Sequence, residues 1–100
     1  MPDSVFSPFG VLVRLTDERW QHIVDNHQEL RDLRDHVLGV VEHPEKVVAG
    51  RAGELLAIQE SGPGMWLVVV YRELDGDGFI ITAFLTNRAQ ALEKRQQLWP

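Results

Sequence analysis

The chain has 100 residues, of which 44% are hydrophobic, and a formal net charge of −5 at pH 7. This composition is typical of one globular domain with a single modest core, and the acidic balance argues against strong, sequence-independent binding to long nucleic acids. The chain has no cysteine, which excludes disulfide bonds and thiolate metal sites and is compatible with the cytoplasmic location that we expect. It has no apolar run of membrane-spanning length and no signal peptide pattern, so we expect no membrane partner.

The first residues are expected to form an arm that leads into the domain. Residues 1–10 contain two prolines and little periodicity, which is typical of an arm, and residues 11–100 are expected to form one domain. Residues 11–15 predict a short strand or an extended lead-in. Thr16 then stands at the N-cap position of a helix predicted over 17–27, because its hydroxyl can accept a hydrogen bond from the first helical turn.

The rest of the chain predicts a second helix, a sheet and a final helix. The second helix is expected over 29–42 and ends before Pro44, because the residue preceding a proline is disfavoured in helical conformation. The apolar period then changes to that of strands, which are expected at 46–49, 54–59, 65–72 and 79–86. A helix over 88–98 closes the chain. We therefore predict an α+β domain in which two N-terminal helices pack on one face of a four-stranded antiparallel sheet, with a C-terminal helix.

The two turns between the last three predicted strands indicate a register. Symmetric loops at 61–64 and 75–78 would place Glu54 opposite Tyr71 and Tyr71 opposite Thr82. A carboxylate, a phenol and a hydroxyl would then share one row on a face suited to a polar ligand. The other face is apolar throughout and is expected to receive the two helices. A one-residue error in either loop would exchange the faces of a strand.

The first predicted helix carries two histidines, the side chain most easily adapted to transfer protons near neutral pH. His27 falls on the same helical face as Trp20 and Ile23, whereas His22 lies well away from that stripe. Two interpretations stay open for each residue. His27 is either a hydrogen-bonded core histidine or an acid–base residue, and His22 is either a surface histidine or an acid–base residue.

Several segments, in this order along the chain, carry a resemblance to a known family: Trp20-x-His22-Ile23, Asn26-His27-Gln28-Glu29-Leu30, His43-Pro44-Glu45-x-Val47, Val68-Val69-Val70, Ile81-Thr82-Ala83-Phe84 and the late Trp99. Over residues 11–99 they resemble the phage and bacterial nuclease-like domains grouped with barnase, EndoU, anticodon-cutting colicins and RelE-type toxins. The resemblance implies N-terminal helices packed on an antiparallel sheet. It also implies metal-independent cleavage of RNA at the open face of that sheet.

Carried over to the matching positions, the resemblance implies catalytic roles for His22, His27 and Thr82. Thr82 has a second interpretation, because β-branched residues are common in strands for packing reasons alone. The expected geometry, and not a motif, indicates three candidates for substrate binding: Tyr71, Arg72 and Arg88. The histidine spacing matches no metal motif, and we expect neither a metal nor a cofactor.

The expected partner is RNA, and a toxin-type domain would also bind a cognate antitoxin. The alternative is a non-catalytic relative that acts as a protein-interaction module and dimerises. The acidic balance favours this alternative. The sheet face that carries the polar row also has an apolar end, which is too large to remain exposed to water and favours the same alternative. That end is expected to be covered by the C-terminal helix, the N-terminal arm or a second subunit.

Overall fold

A computed structural model describes residues 3–100, except for the side chain of Ala89. The helices and strands, in chain order, are β1 Asp3–Phe6, β2 Leu12–Leu15, α1 Asp17–Asn26, a 3₁₀ helix Gln28–Leu30, α2 Arg34–Glu42, β3 Lys46–Ala49, β4 Leu55–Glu60, β5 Trp66–Leu74, β6 Asp77–Thr86, α3 Ala89–Glu93 and β7 Gln97–Trp99. The seven strands form one sheet in the order β1-β2-β6-β5-β4-β3-β7. Only the β2–β6 pair among these is parallel.

The predicted α+β class is confirmed, but the predicted four-stranded antiparallel sheet is wrong. The described residues form a seven-stranded mixed sheet. The additional strands come from the predicted arm, from the predicted lead-in at 11–15 and from the end of the predicted C-terminal helix. Each of these segments has only three or four residues in its strand, too few to show a clear alternation in the sequence.

The predicted arm contributes an edge strand. Residues 1–2 lie outside the described part of the chain, and β1 pairs with β2 in antiparallel register from Asp3↔Leu15 to Phe6↔Leu12. Val5 packs on the core beside β2, whose inward residues Val13 and Leu15 are fully buried. Pairing with β2 therefore supplies both the backbone partners and the apolar contacts that order this segment.

The predicted helix over 88–98 is wrong in its second half. The helix α3 ends at Glu93, and β7 follows as the outer strand beside β3. Trp99 pairs with Val47 and packs against the core. Pairing satisfies the backbone groups at the outer edge of β3, and burial of the indole adds apolar contact, so tertiary packing overrides the local helix preference.

The helical layer agrees with the sequence at its start. Thr16 caps α1, since its Oγ1 accepts a hydrogen bond from the Arg19 N–H at 3.1 Å. The second helix begins at Arg34 and not at residue 29, because a 3₁₀ turn intervenes. The Arg34 guanidinium lies 2.8 Å from the Asp3 carboxylate and 2.7 Å from the Asp17 carboxylate, so it connects β1, α1 and α2. None of the helices in residues 3–100 has the length and apolar character needed to cross a membrane.

The register of the central strands differs from the predicted one. Glu60 pairs with Trp66, so the β4–β5 loop has five residues, 61–65, instead of four. Leu74 pairs with Asp77, so the β5–β6 turn is the dipeptide Asp75-Gly76. Both turn residues have positive φ, 53° and 80°, which is the geometry that a two-residue hairpin turn requires.

A β-bulge adds a further shift. Val70 pairs with Thr82, whereas the next residue, Tyr71, pairs with Ile80, so Ile81 is the extra residue on β6. Tyr71 also pairs with Leu55 on its other side. The predicted row of Glu54, Tyr71 and Thr82 is therefore wrong, because Tyr71 turns toward the helices while Thr82 and Glu54 do not.

The sheet is covered unequally on its two faces. Helices α1 and α2 lie on one face, where the main core includes Ile23, Leu30, Val37, Val40, Val41, Ala57, Leu67, Val69, Tyr71 and Ala83. We call the opposite side the open face. A smaller cluster there consists of Val48, Leu56, Ile58, Val68 and Leu92, with Trp66, Val70 and Phe84 packed against it. Among residues 3–100, the short α3 covers this part of the open face through Leu92.

Candidate functional site on the open face

A groove lies on the open face between the sheet and the segment that contains α3. It consists of two adjoining cavities of about 290 and about 200 Å³, which share the lining residues Leu56, Phe84 and Arg95. Leu56 and Phe84 come from β4 and β6, and Val70 of β5 lies between them. The floor of the groove is therefore apolar and contains one aromatic ring. We refer to this feature as the groove.

The walls of the groove carry an excess of positive charge. Among the described lining residues, the charged side chains are the three arginines Arg51, Arg88 and Arg95 and the single carboxylate of Glu54. Three positive charges and one negative charge give a local formal charge of +2, whereas the whole chain carries −5. Such a local excess concentrates anions at the groove even though the protein as a whole is acidic.

Hydrogen bonds fix the loop that carries Arg51 and Glu54. The Ala52 N–H donates to Glu54 Oε1 at 2.8 Å, and Arg72 Nη2 donates to the Ala52 carbonyl at 2.5 Å. The hydrogen bond from Ala52 lowers the pKa of Glu54, and the nearby charges of Arg72 and Arg95 lower it further. A Cβ at Gly50 would overlap the Glu54 side chain, so a larger residue there would displace this carboxylate.

Helix α1 brings a histidine to the edge of the groove. The helix runs along β6, since Arg19 Nη1 donates to the Ile81 carbonyl at 3.4 Å and the ring of His27 lies 6.4 Å from the ring of Phe84, centroid to centroid. The His27 side chain is 33% exposed, and its Nδ1 lies 3.8 Å from Glu29 Oε2. This separation is longer than a hydrogen bond, so the carboxylate is a neighbour of the imidazole and not a bonded partner.

Two hydroxyls flank the aromatic floor. Thr82, Phe84 and Thr86 occupy alternate positions of β6 after the bulge, so their side chains share the open face. Thr86 lines the groove, and Thr82 lies opposite the groove residue Val70. The Thr86 hydroxyl accepts a hydrogen bond from the Arg88 N–H at 3.1 Å, which fixes the start of the segment after β6.

The structure brings together some of the predicted site residues. His27, Thr82 and Arg88 lie on the open face or at its edge. Arg72 also belongs to this face, as its pairing with Phe79 and its bond to Ala52 show, but its guanidinium holds the loop. These residues share a face although they come from distant parts of the chain.

Two predicted site residues lie elsewhere. His22 lines a separate cavity of about 450 Å³, whose described lining residues also include Thr16, Glu18 and Arg19. Tyr71 is fully buried on the helix side of the sheet. Burial raises the pKa of Tyr71 well above its usual range, and the charge of Glu73 adds to this increase.

Three residues of the site were not predicted: Glu29, Arg51 and Arg95. Arg95 falls within the predicted helix over 88–98, whereas α3 ends at Glu93 and Arg95 lines the groove. The only sequence signal for Arg51 is its place between Gly50 and Gly53 in a short loop. Glu29 lies two residues after His27, too close for a helical pairing pattern to indicate it.

Comparison with known proteins adds no assignment. No protein-family model matches the sequence, and no curated protein or solved structure matches it significantly. Among the described residues there is no group of three or more His, Asp or Glu side chains placed to hold a metal ion. The chemistry of the groove and of His27 is therefore the basis for a functional assignment.

Proposed function

We propose that this protein binds RNA on the open face and cleaves it without a metal ion, with His27 as the principal proton-transferring residue. The observation that supports the proposal is the position of His27, whose Nδ1 lies 3.8 Å from the Glu29 carboxylate and whose ring lies 6.4 Å from that of Phe84 in the floor of the arginine-lined groove. RNA offers both groups that such a site suits, a phosphate for the arginines and a base for the aromatic ring.

The reaction follows from the chemistry of the ribose. His27 takes the proton of a 2′-hydroxyl, the 2′-oxygen forms a bond to the adjacent phosphorus, and the bond from phosphorus to the 5′-oxygen breaks. The leaving 5′-oxygen takes a proton from solvent, because His22 lines a separate cavity. The products are a 2′,3′-cyclic phosphate and a 5′-hydroxyl. Arg88 and the hydroxyl of Thr82 stabilise the charge that develops on the phosphoryl oxygens.

Cleavage of a labelled RNA oligonucleotide by the purified protein tests the proposal. His27→Asn is expected to reduce the rate by about 10²–10⁴-fold, the usual contribution of a positioned acid or base, and His22→Asn is tested beside it. His43→Asn is the matched control, because His43 is 83% exposed and lies at the end of α2, outside the groove. Equal cleavage by wild type and His27→Asn, both folded by circular dichroism, would sink the assignment.

A second set of substrates separates binding from chemistry. The same oligonucleotide with 2′-deoxyribose at every position lacks the attacking hydroxyl. It is expected to bind the open face and to remain intact, because the arginines contact phosphate and not the 2′-oxygen. Cleavage of this deoxy oligonucleotide would show that the 2′-hydroxyl mechanism is incorrect.

A specific observation also favours the alternative, a dimerising interaction module. Phe6, Leu12 and Leu74 are 60%, 41% and 50% exposed. Phe6 pairs with Leu12, and the β2–β6 register places Asp77 between Leu12 and Leu74, so the three apolar side chains lie in one row that the Asp77 carboxylate interrupts. Exposed rows of this kind occur at interaction surfaces. Light scattering of the wild type and of Leu74→Lys tests this candidate: a dimer that Leu74→Lys dissociates supports it, and a monomeric wild type contradicts it.

A further inference from the structure

The groove has the dimensions of a small-molecule site. Its two cavities, about 290 and about 200 Å³, adjoin at Leu56, Phe84 and Arg95, and together they fall within the range of about 300–1,000 Å³ found for ligand pockets. An extended RNA strand would pass over the open face, but a volume of this size holds one nucleotide of it. The lining residues indicate which parts of that nucleotide go where.

The floor of the groove suits a planar ring. Leu56 is buried, and Val70 and Phe84 are half-buried, so each leaves part of its surface toward the groove. Phe84 packs against the small cluster on the open face, and the ring of His27 lies 6.4 Å away from its ring. Aromatic side chains held in this way bind nucleobases by stacking, with little preference for one base over another.

The walls of the groove suit a phosphate. Among the described residues, neither Arg51 nor Arg95 forms an ion pair or donates a side-chain hydrogen bond, whereas Arg14, Arg34 and Arg72 each bond another protein group. Arg51 and Arg95 both line the same cavity as Val70 and Phe84. Guanidinium groups in this state are open to an anion, and phosphate oxygens match their planar pairs of N–H donors.

We propose that the groove is a nucleotide subsite, in which Arg51 and Arg95 bind a phosphate and Phe84 stacks on the base. The inference rests on the proposed function, because it identifies the groove as the place where one nucleotide of the RNA substrate binds beside His27. Glu54 lies in the same cavity as the two arginines, and its carboxylate repels the phosphate. The strength of binding is therefore set by the balance between these two arginines and Glu54.

Nuclear magnetic resonance titration of the full chain with adenosine 5′-monophosphate tests this subsite, with adenosine and ribose 5-phosphate as the two partial probes. The complete nucleotide is expected to bind at least about tenfold more tightly than either part, because stacking and phosphate binding both contribute. The amide signals of Thr86 and of the Gly50–Glu54 loop are expected to shift. Equal affinity for the nucleotide and ribose 5-phosphate would overturn the stacking role of Phe84.

Variants assign the roles of the charged residues. Arg51→Ala and Arg95→Ala are each expected to weaken nucleotide binding about fivefold or more, and Arg31→Ala, an exposed arginine on the helix side, controls for the loss of one positive charge. Glu54→Gln is expected to strengthen binding at least about twofold, and the glutamine can still accept the hydrogen bond from Ala52. Glu42→Gln is its matched control. Equal effects of the groove variants and their controls would overturn the subsite.

Phe84 requires a conservative change, because it packs in the small cluster on the open face. Phe84→Leu keeps an apolar side chain and is expected to remove most of the difference in affinity between the nucleotide and ribose 5-phosphate. The outcome is separable from the cleavage reaction. If the wild type binds the nucleotide but does not cleave RNA, the subsite is supported and the proposed cleavage is contradicted. If the wild type cleaves RNA but does not bind the nucleotide in the groove, the subsite alone is overturned.

Discussion

Replacing Tyr71 with phenylalanine tests the position that the structure gives to the only tyrosine of the chain. The side chain is fully buried, and its hydroxyl makes no hydrogen bond to any described residue. The neighbouring Ser7 hydroxyl donates instead to Glu73 Oε2 at 2.6 Å. A buried polar group without a partner costs about 1–3 kcal/mol, so Tyr71→Phe is expected to increase the free energy of unfolding by about 1 kcal/mol, which raises the melting temperature by about 4–8 °C.

The same substitution has a defined pH dependence. Because burial raises the pKa of Tyr71, the folded protein keeps the phenolic proton at a pH where the unfolded chain, with a pKa of 10.0, has lost it. The unfolded state then binds fewer protons, so stability falls as the pH rises above that value, by up to about 1.4 kcal/mol per pH unit. Tyr71→Phe removes this loss, and its advantage over the wild type is expected to grow above about pH 10.

Urea unfolding at about pH 7 and about pH 11 measures both effects, and the ultraviolet absorbance of tyrosinate reports the ionisation of Tyr71 alone. Ser7→Ala is the control, since the Ser7 hydroxyl has a partner in Glu73 and its loss is expected to destabilise the protein by about 1 kcal/mol. RNA cleavage is expected to be unchanged in Tyr71→Phe. A destabilisation above about 1 kcal/mol, or ionisation of Tyr71 in the folded protein near its ordinary pKa, would refute the reasoning.

Two further predictions concern the packing of the scaffold. Hydrogen bonding to Arg34 and the charge of Arg34 lower the pKa of Asp17 below 3.8. Its stabilising contribution is therefore complete above that pH and is lost as the pH falls below it. Asp17→Asn is expected to lower the melting temperature at about pH 7, and to lower it progressively less as the pH falls below 3.8. A Cβ at Gly78 would lie 2.8 Å from Val13 Cγ2, so Gly78→Ala is expected to lower the free energy of unfolding by about 1–3 kcal/mol. A Cβ at Gly39 in α2 would meet nothing within 4 Å, so Gly39→Ala is expected to raise the free energy of unfolding by about 0.5–1 kcal/mol. Equal stability of the two alanine variants would contradict the close approach of β2 to β6.

Sequence reasoning located the elements whose signals are local. Thr16 marked the start of α1, and the His43-Pro44 pair marked the end of α2, because capping and the proline restriction act within a few residues. The positions of the long strands followed from their apolar runs. The register did not, because it depends on a bulge at Ile81 and on a five-residue loop whose effect on pairing is visible only when the strands meet.

The candidate site also depends on contacts between distant segments, which the sequence does not reveal. His27, Thr82 and Arg88 were predicted from motifs and from expected strand positions, and they do lie on the open face or at its edge. Arg51 and Arg95 come from a loop after β3 and from the segment before β7, and the groove exists only where these segments meet β6. The sequence predicted neither the path of β7 nor the loop geometry, so it could not indicate that the two arginines face one cavity.

Helix α1 both positions His27 and covers part of the edge of β6. Strand β2 pairs with β6 only at Gly78 and Phe79, so the outer side of the following part of β6 has no strand partner among the described residues, and α1 lies along it. An event that detaches α1 would take His27 away from the groove and would also uncover backbone groups able to pair with another chain. Displacement of His27 from the groove and the onset of aggregation would therefore begin with one local opening, and hydrogen exchange in α1 would report the resistance of the protein to both.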